Sequence, residues 1–116
     1  MKYLCLVYLD ESKLEALSKD EGKVLDRESI AYDEELKRSG HYLGSNALQS
    51  IKTAVTVRVR GGKLSTTDGP FVETKEHVGG YILIEASDLN EAIRIASRIP
   101  VGRYGGIEVR PIMDLA

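Results

Sequence analysis

The chain has 116 residues and a mass of 12.8 kDa, with 42% apolar and 29% charged residues, the balance of one globular domain spanning residues 1–116. At this length roughly two-thirds of the unfolded surface is buried on folding, enough for a core without disulfides or a structural metal. A net charge of −2 gives no global attraction to nucleic acid or an anionic membrane, and the lone Cys5 excludes an intrachain disulfide, a cysteine zinc site and a CxxC redox pair.

Tyr3 to Leu9 is an unbroken apolar run, which predicts a strand covered on both faces. It follows Lys2 as a signal-peptide core would, but stops at Asp10 and Glu11 with no small-residue cleavage site, and it is far shorter than the ~20 residues that span a bilayer. The expected location is cytoplasmic, with no membrane partner. Ser18 and Glu21 form a capping box that starts a helix near Lys19. Leu25, Ser29, Tyr32 and Leu36 share one stripe of that helix, and Gly40 suits the left-handed position just past its end.

Ala54 to Arg60 alternates Val55, Val57 and Val59 with Thr56, Arg58 and Arg60, a second strand. Gly61 and Gly62 turn the chain, and Lys63 to Thr67 returns as a short third strand. A loop from Asp68 to Glu76 leads through Gly79 and Gly80 to a fourth strand, Tyr81 to Ala86. Asp88 with Glu91 forms another capping box, and Leu89, Ala92, Ile93, Ala96 and Ile99 give a second helix its apolar face before Pro100 stops it. Gly105 and Gly106 precede a fifth strand, Ile107 to Ile112.

This order predicts an α+β fold, a ferredoxin-like split βαβ protomer with an added hairpin strand and both helices on one sheet face. The second-strand valines and fourth-strand isoleucines are expected under the helices, which leaves Tyr81, Leu83, Glu85, Thr56, Arg58, Glu108 and Arg110 on an uncovered face. Such a face, with half of the first strand added, is a poor monomer surface. A homodimer with two sheets facing each other is expected, its inner charges either paired or lining a polar cavity.

Asp68-Gly69-Pro70-Phe71 is the most distinctive string. Asp caps its own backbone and Pro fixes φ, so a structural turn is one reading. The other is a site, with Asp68 as general acid or base and Phe71, Glu73, Lys75 and Glu76 as ligand-binding neighbours. Ser29 either packs and back-bonds to the preceding turn or, with Tyr32, forms a pocket wall. His41 and His77 read as exposed loop residues, and no spacing specifies a metal or calls for a cofactor. Arg58, Arg60 and Lys63 make a basic patch too small, and too poor in aromatics, for nucleic acid. Cys5 reads as an inert core thiol.

Several strings together resemble the DGPF-domain branch of the YCII-related proteins. They are Met1 to Tyr8, Glu34 to Gly40, Thr67 to Glu76, Gly79 to Glu85 and Ile107 to Ile112. The resemblance implies a dimeric α+β barrel in a bacterial cytoplasmic protein, often encoded near extracytoplasmic-function sigma factors. Some YCII-related enzymes use a His and Asp pair around the first helix, whose positions fall here on Ser29 and Arg38. Neither residue replaces an acid/base pair, because Ser lacks a base and Arg stays protonated. The expected function is therefore binding of a small molecule or action with a sigma-factor-type protein partner. The alternative is a cofactor-free lyase, hydrolase or isomerase using Asp68.

Overall fold

The computed structural model describes residues 1–115. Its strands are β1 (Lys2–Leu9), β2 (Tyr42–Ala47), β3 (Val55–Arg60), β4 (Lys63–Asp68), β5 (His77–Glu85) and β6 (Gly105–Pro111). Its α-helices are α1 (Glu11–Glu15), α2 (Lys19–Arg38) and α3 (Leu89–Ser97). One sheet runs β2-β5-β1-β6, antiparallel throughout. This is the ferredoxin-like order, with β3 and β4 paired to each other as a separate hairpin inserted between β2 and β5.

The apolar run of β1 divides by the period of two that governs every strand. Tyr3, Cys5, Val7 and Leu9 are buried with Ile82 and Ile84, beneath Tyr32 and Leu36 of α2 and Ala92, Ile95 and Ala96 of α3. Leu4, Leu6 and Tyr8 stay half-exposed on the opposite face. The register sets Leu6 beside Tyr81 and Glu108, and Leu4 beside Leu83 and Arg110. The uncovered face thus holds Tyr81, Leu83, Glu108 and Arg110 as expected, and a single copy covers β1 on one face where the unbroken run predicted two. Two of its carboxylates are paired within the chain: Glu108 accepts from Arg110, and Glu85 accepts from the terminal amino group at 3.0 Å.

Local signals hold the helices in place. Ser18 and Glu21 complete the capping box of α2. At its other end His41 N–H reaches the Leu36 carbonyl at 2.9 Å and Gly40 N–H the Lys37 carbonyl at 3.2 Å, with Gly40 at φ +79°. That is a Schellman motif, and its αL position favours glycine. The cap of α3 is only half a box. Asp88 accepts from Glu91 N–H at 2.8 Å, but the Glu91 carboxylate reaches back to Ser87 N–H, at 2.9 Å.

Two elements escaped the sequence reading, and one expectation is corrected. Tyr42–Ala47 is a strand that the sequence conceals, since Gly44, Ser45 and Asn46 are weak strand formers. It forms because β5 offers an open edge. The stretch after Asp10, to which the sequence reading assigns no element, is helical: the Asp10 carboxylate caps α1 through Ser12 N–H at 3.0 Å. Val55, Val57 and Val59 do not meet the helices, and Thr56 and Arg58 are not on the sheet's open face, because the hairpin leaves the sheet altogether.

At Gly105 a Cβ would overlap the Tyr8 carbonyl oxygen and stand 3.2 Å from Leu9 Cα, whereas at Gly106 it would meet nothing within 4 Å. Gly105→Ala is expected to cost about 1–3 kcal/mol by overpacking, and Gly106→Ala under about 0.5 kcal/mol. Urea midpoints of the two variants at unchanged m-value check the difference.

Candidate functional site

Between α2 and the β2–β5 side of the sheet opens a cleft of about 630 Å³. Its apolar surface comes from Val7, Leu9, Leu25, Ile82 and Ile99, and α2 supplies Ser29, Tyr32 and Asp33 along its wall. Ser29 and Asp33 are one helical turn apart and share a face. Asp33 is held from outside its helix. Ser45 on β2 donates to Asp33 Oδ2 at 2.9 Å, and Tyr42 Oη lies 2.8 Å from Ser45 Oγ. Since Ser45 has one proton and gives it to Asp33, Tyr42 donates to Ser45, and the chain of hydrogen bonds ends on the carboxylate.

The Ser29 hydroxyl makes no hydrogen bond with the described residues, so the back-bond to the preceding turn is not formed. Tyr32 is buried, and its hydroxyl donates to the Ile95 carbonyl at 2.6 Å while the Arg98 guanidinium lies over its ring. Burial pushes its phenol above the usual value. Its contribution to the cleft is therefore its ring, and its hydroxyl ties α2 to α3.

Glu11 stands at the rim, where its carboxylate accepts from Ile51 N–H at 2.6 Å and Ser50 Oγ at 2.8 Å. Those two bonds, the backbone one first, hold its pKa below the ordinary carboxylate value. They also clip the segment after β2 onto α1. The charged residues lining the cleft, among those described, are the carboxylates Glu11, Glu15, Asp26 and Asp33, joined by the titratable His77.

His77 also borders a shallower groove formed with Ile51, Pro70, Glu73, Thr74 and Lys75. It is half-buried and donates from Nε2 to the Val72 carbonyl at 2.9 Å, and His41 donates from Nδ1 to the Glu85 carbonyl at 2.8 Å. Both histidines are thus tied to backbone, a correction to the exposed-loop reading. Cys5 is fully buried, which pushes its thiol up to about 11. No three His, Cys, Asp or Glu side chains among the described residues converge to hold a metal, and no described helix is long and apolar enough to cross a membrane.

The structure brings Ser29 and Tyr32 to the cleft and Glu73 and Lys75 to the neighbouring groove, while Asp68, Phe71 and Glu76 line neither. Asp68 is the exposed last residue of β4, opposite Val55. After it Gly69 N–H reaches the Ala54 carbonyl at 2.8 Å, Thr56 Oγ1 donates to the Gly69 carbonyl at 2.9 Å, and the Arg58 guanidinium lies 4.4 Å from the Phe71 ring centre. These bonds close the base of the hairpin. Arg38, in the last turn of α2, does not line the cleft, and the carboxylates on that wall come from Asp26 and Asp33. Asp33 was open to detection from its i+4 spacing to Ser29, but Ser45 and Tyr42 carried no signal while β2 went unseen.

The fold and cleft define a ferredoxin-like α+β domain with a largely apolar pocket, carrying a few fixed polar groups, beneath its first long helix. The chain belongs to the YCII-related domain family, whose model matches residues 1–116. It is 34% identical over 114 residues to an uncharacterized protein of Rhizobium meliloti (strain 1021), covering 97% of this chain and 92% of that one.

Because the Glu11 pKa is lowered in the folded state, its contribution is present above the ordinary value of 4.5 and lost as pH falls through the folded pKa. Glu11→Gln is expected to melt below the wild type at pH 7, the gap closing as pH drops below 4.5. Thermal melts of both proteins from pH 3 to 7 check the sign.

Proposed function

We propose that this protein is a homodimer that binds a small molecule in the cleft between α2 and the sheet. The observation that carries the reading is the Tyr42–Ser45–Asp33 chain, which presents an oriented carboxylate beside an apolar floor. Small-molecule sites combine a concavity of roughly 300–1,000 Å³, mostly apolar walls and a few fixed polar groups. Asp33 and the Ser29 hydroxyl supply the polar groups, and Val7, Leu25, Ile82 and the Tyr32 ring the apolar ones. A ligand with an apolar body and a hydrogen-bond donor fits this chemistry.

The homodimer is supported by the open sheet face, where Leu4, Leu6, Tyr8, Tyr81 and Leu83 form an apolar surface that no helix covers. Placing two such faces together removes it from water.

A thermal-shift screen of small amines, polyols and aromatic alcohols tests the cleft. A ligand at a hundredfold its dissociation constant stabilises by about 2.7 kcal/mol, a midpoint rise on the order of 10 °C. The shift is expected in the wild type and in Asp68→Asn, and to disappear in folded Asp33→Asn. A hit kept by Asp33→Asn and lost in Asp68→Asn would move the site to the base of the hairpin. For the dimer, Leu6→Lys is expected to yield a folded monomer in sedimentation velocity.

A further inference from the structure

Beside the titratable His77, the cleft carries charge of one sign. Asp26 and Asp33 of α2 and Glu11 and Glu15 of α1 line it, and no Lys or Arg does so among the described residues. On its other faces α2 neutralises its carboxylates. Glu28 bonds Arg103 at 2.9 Å, Glu34 bonds Lys37 at 3.1 Å and Glu35 bonds Arg98 at 2.8 Å. Asp26 and Asp33, on the cleft face of the same helix, make no ion pair with the described residues. Lys37 stands one turn beyond Asp33, but it is bonded to Glu34, lies 5.0 Å from the Tyr42 ring centre and does not line the cleft.

Asp33 is the fixed point of this wall. Ser45 occupies its Oδ2 at 2.9 Å, and its Oδ1 makes no hydrogen bond with the described residues. The unbonded Ser29 hydroxyl lies one helical turn away on the same face, and both residues are half-buried. Side chains so spaced stand about 5–6 Å apart at Cβ, so one nitrogen making hydrogen bonds of about 2.8 Å reaches both.

We propose that the cleft selects a cation, a primary ammonium carried on an apolar alkyl or aryl body, and that Asp33 sets this preference. The inference rests on the small-molecule reading above and deepens it by naming the charge and class of the ligand.

An ammonium brings three N–H donors. One meets Asp33 Oδ1 as a charge-assisted bond and a second meets Ser29 Oγ, while the apolar body lies on Val7, Leu25 and Ile82. Glu11, Glu15 and Asp26 add to the negative potential of the walls without touching the ligand. A hydroxyl on the same body keeps a hydrogen bond and loses the charge, which roughly halves the strength of that bond. A carboxylate on the same body is repelled.

Phenethylamine, phenethyl alcohol and phenylacetate share one apolar body and differ in charge. Each is titrated into the wild type at neutral pH, and binding is followed by the amide NMR shifts of Ser29, Asp33 and Ser45. Phenethylamine is expected to bind about tenfold tighter than the alcohol, and phenylacetate not at all. In Asp33→Asn, which keeps an acceptor for Ser45, the amine is expected to lose its advantage. Asp20→Asn removes the same charge from the first turn of α2, outside the cleft, and is expected to keep it. A preference that survives Asp33→Asn, or that Asp20→Asn abolishes, would overturn the proposal. If the alcohol or phenylacetate binds in the cleft as tightly as the amine, charge selection is wrong and the small-molecule reading stands. If none of the three moves the cleft amides at millimolar concentration, that reading falls as well.

Discussion

The burial of one face of β1 is the constraint on which the rest of the molecule depends. Tyr3, Cys5, Val7 and Leu9 point towards the helices, and β5 and β6 flank them with Ile82, Ile84, Ile107 and Val109. Cys5 and Ile84 are wholly removed from water, and the Tyr32–Ile95 bond fixes α2 against α3 above them. Two helices suffice for one face of a four-stranded sheet. The other face stays bare, and the cleft opens between α2 and the β2–β5 side of the sheet.

The cleft takes its polar character from an edge strand. β2 has no buried residue of its own and is held through β5, yet it delivers Ser45 and Tyr42 to Asp33. A carboxylate oriented from two elements keeps its geometry better than one on a mobile side chain, which is what ligand recognition requires. Glu11 extends this support by clipping the segment after β2 to α1. The ligand site and the edge of the sheet are consequently one mechanical unit.

The hairpin insertion separates two roles that the sequence merges. Asp68 to Phe71 looks like the chemical centre because it is the most unusual string, but its bonds to Ala54 and Thr56 make it the turn that closes the base of the hairpin. Its continuation, Glu73 to Lys75, returns beside His77, where the groove meets the cleft. Hairpin and cleft are therefore joined through a short covalent path.

Periodicity and capping chemistry made much of this fold legible. The extent of α2, the stripe of Leu25, Tyr32 and Leu36, the α3 start at Asp88 and the bare face with Tyr81 and Leu83 all followed from side-chain spacing, because local sterics and hydrogen bonds act within a few residues. Ser29 and Tyr32 were placed on the cleft wall by the same logic. What spacing cannot convey is which element pairs with which. Tyr42–Ala47 became a strand by pairing with the edge of β5, and Val55–Arg60 paired with Lys63–Asp68 rather than joining the sheet. The sequence by itself determined α2 and α3, the buried stripe of α2 and the ferredoxin-like class, whereas Leu89 and Ile93, read as part of the apolar face of α3, are exposed and Ile95 is buried in their place. Tertiary pairing alone decided that Asp33 would meet Ser45 and that the valines would face water, since both depend on contacts between residues far apart in the chain.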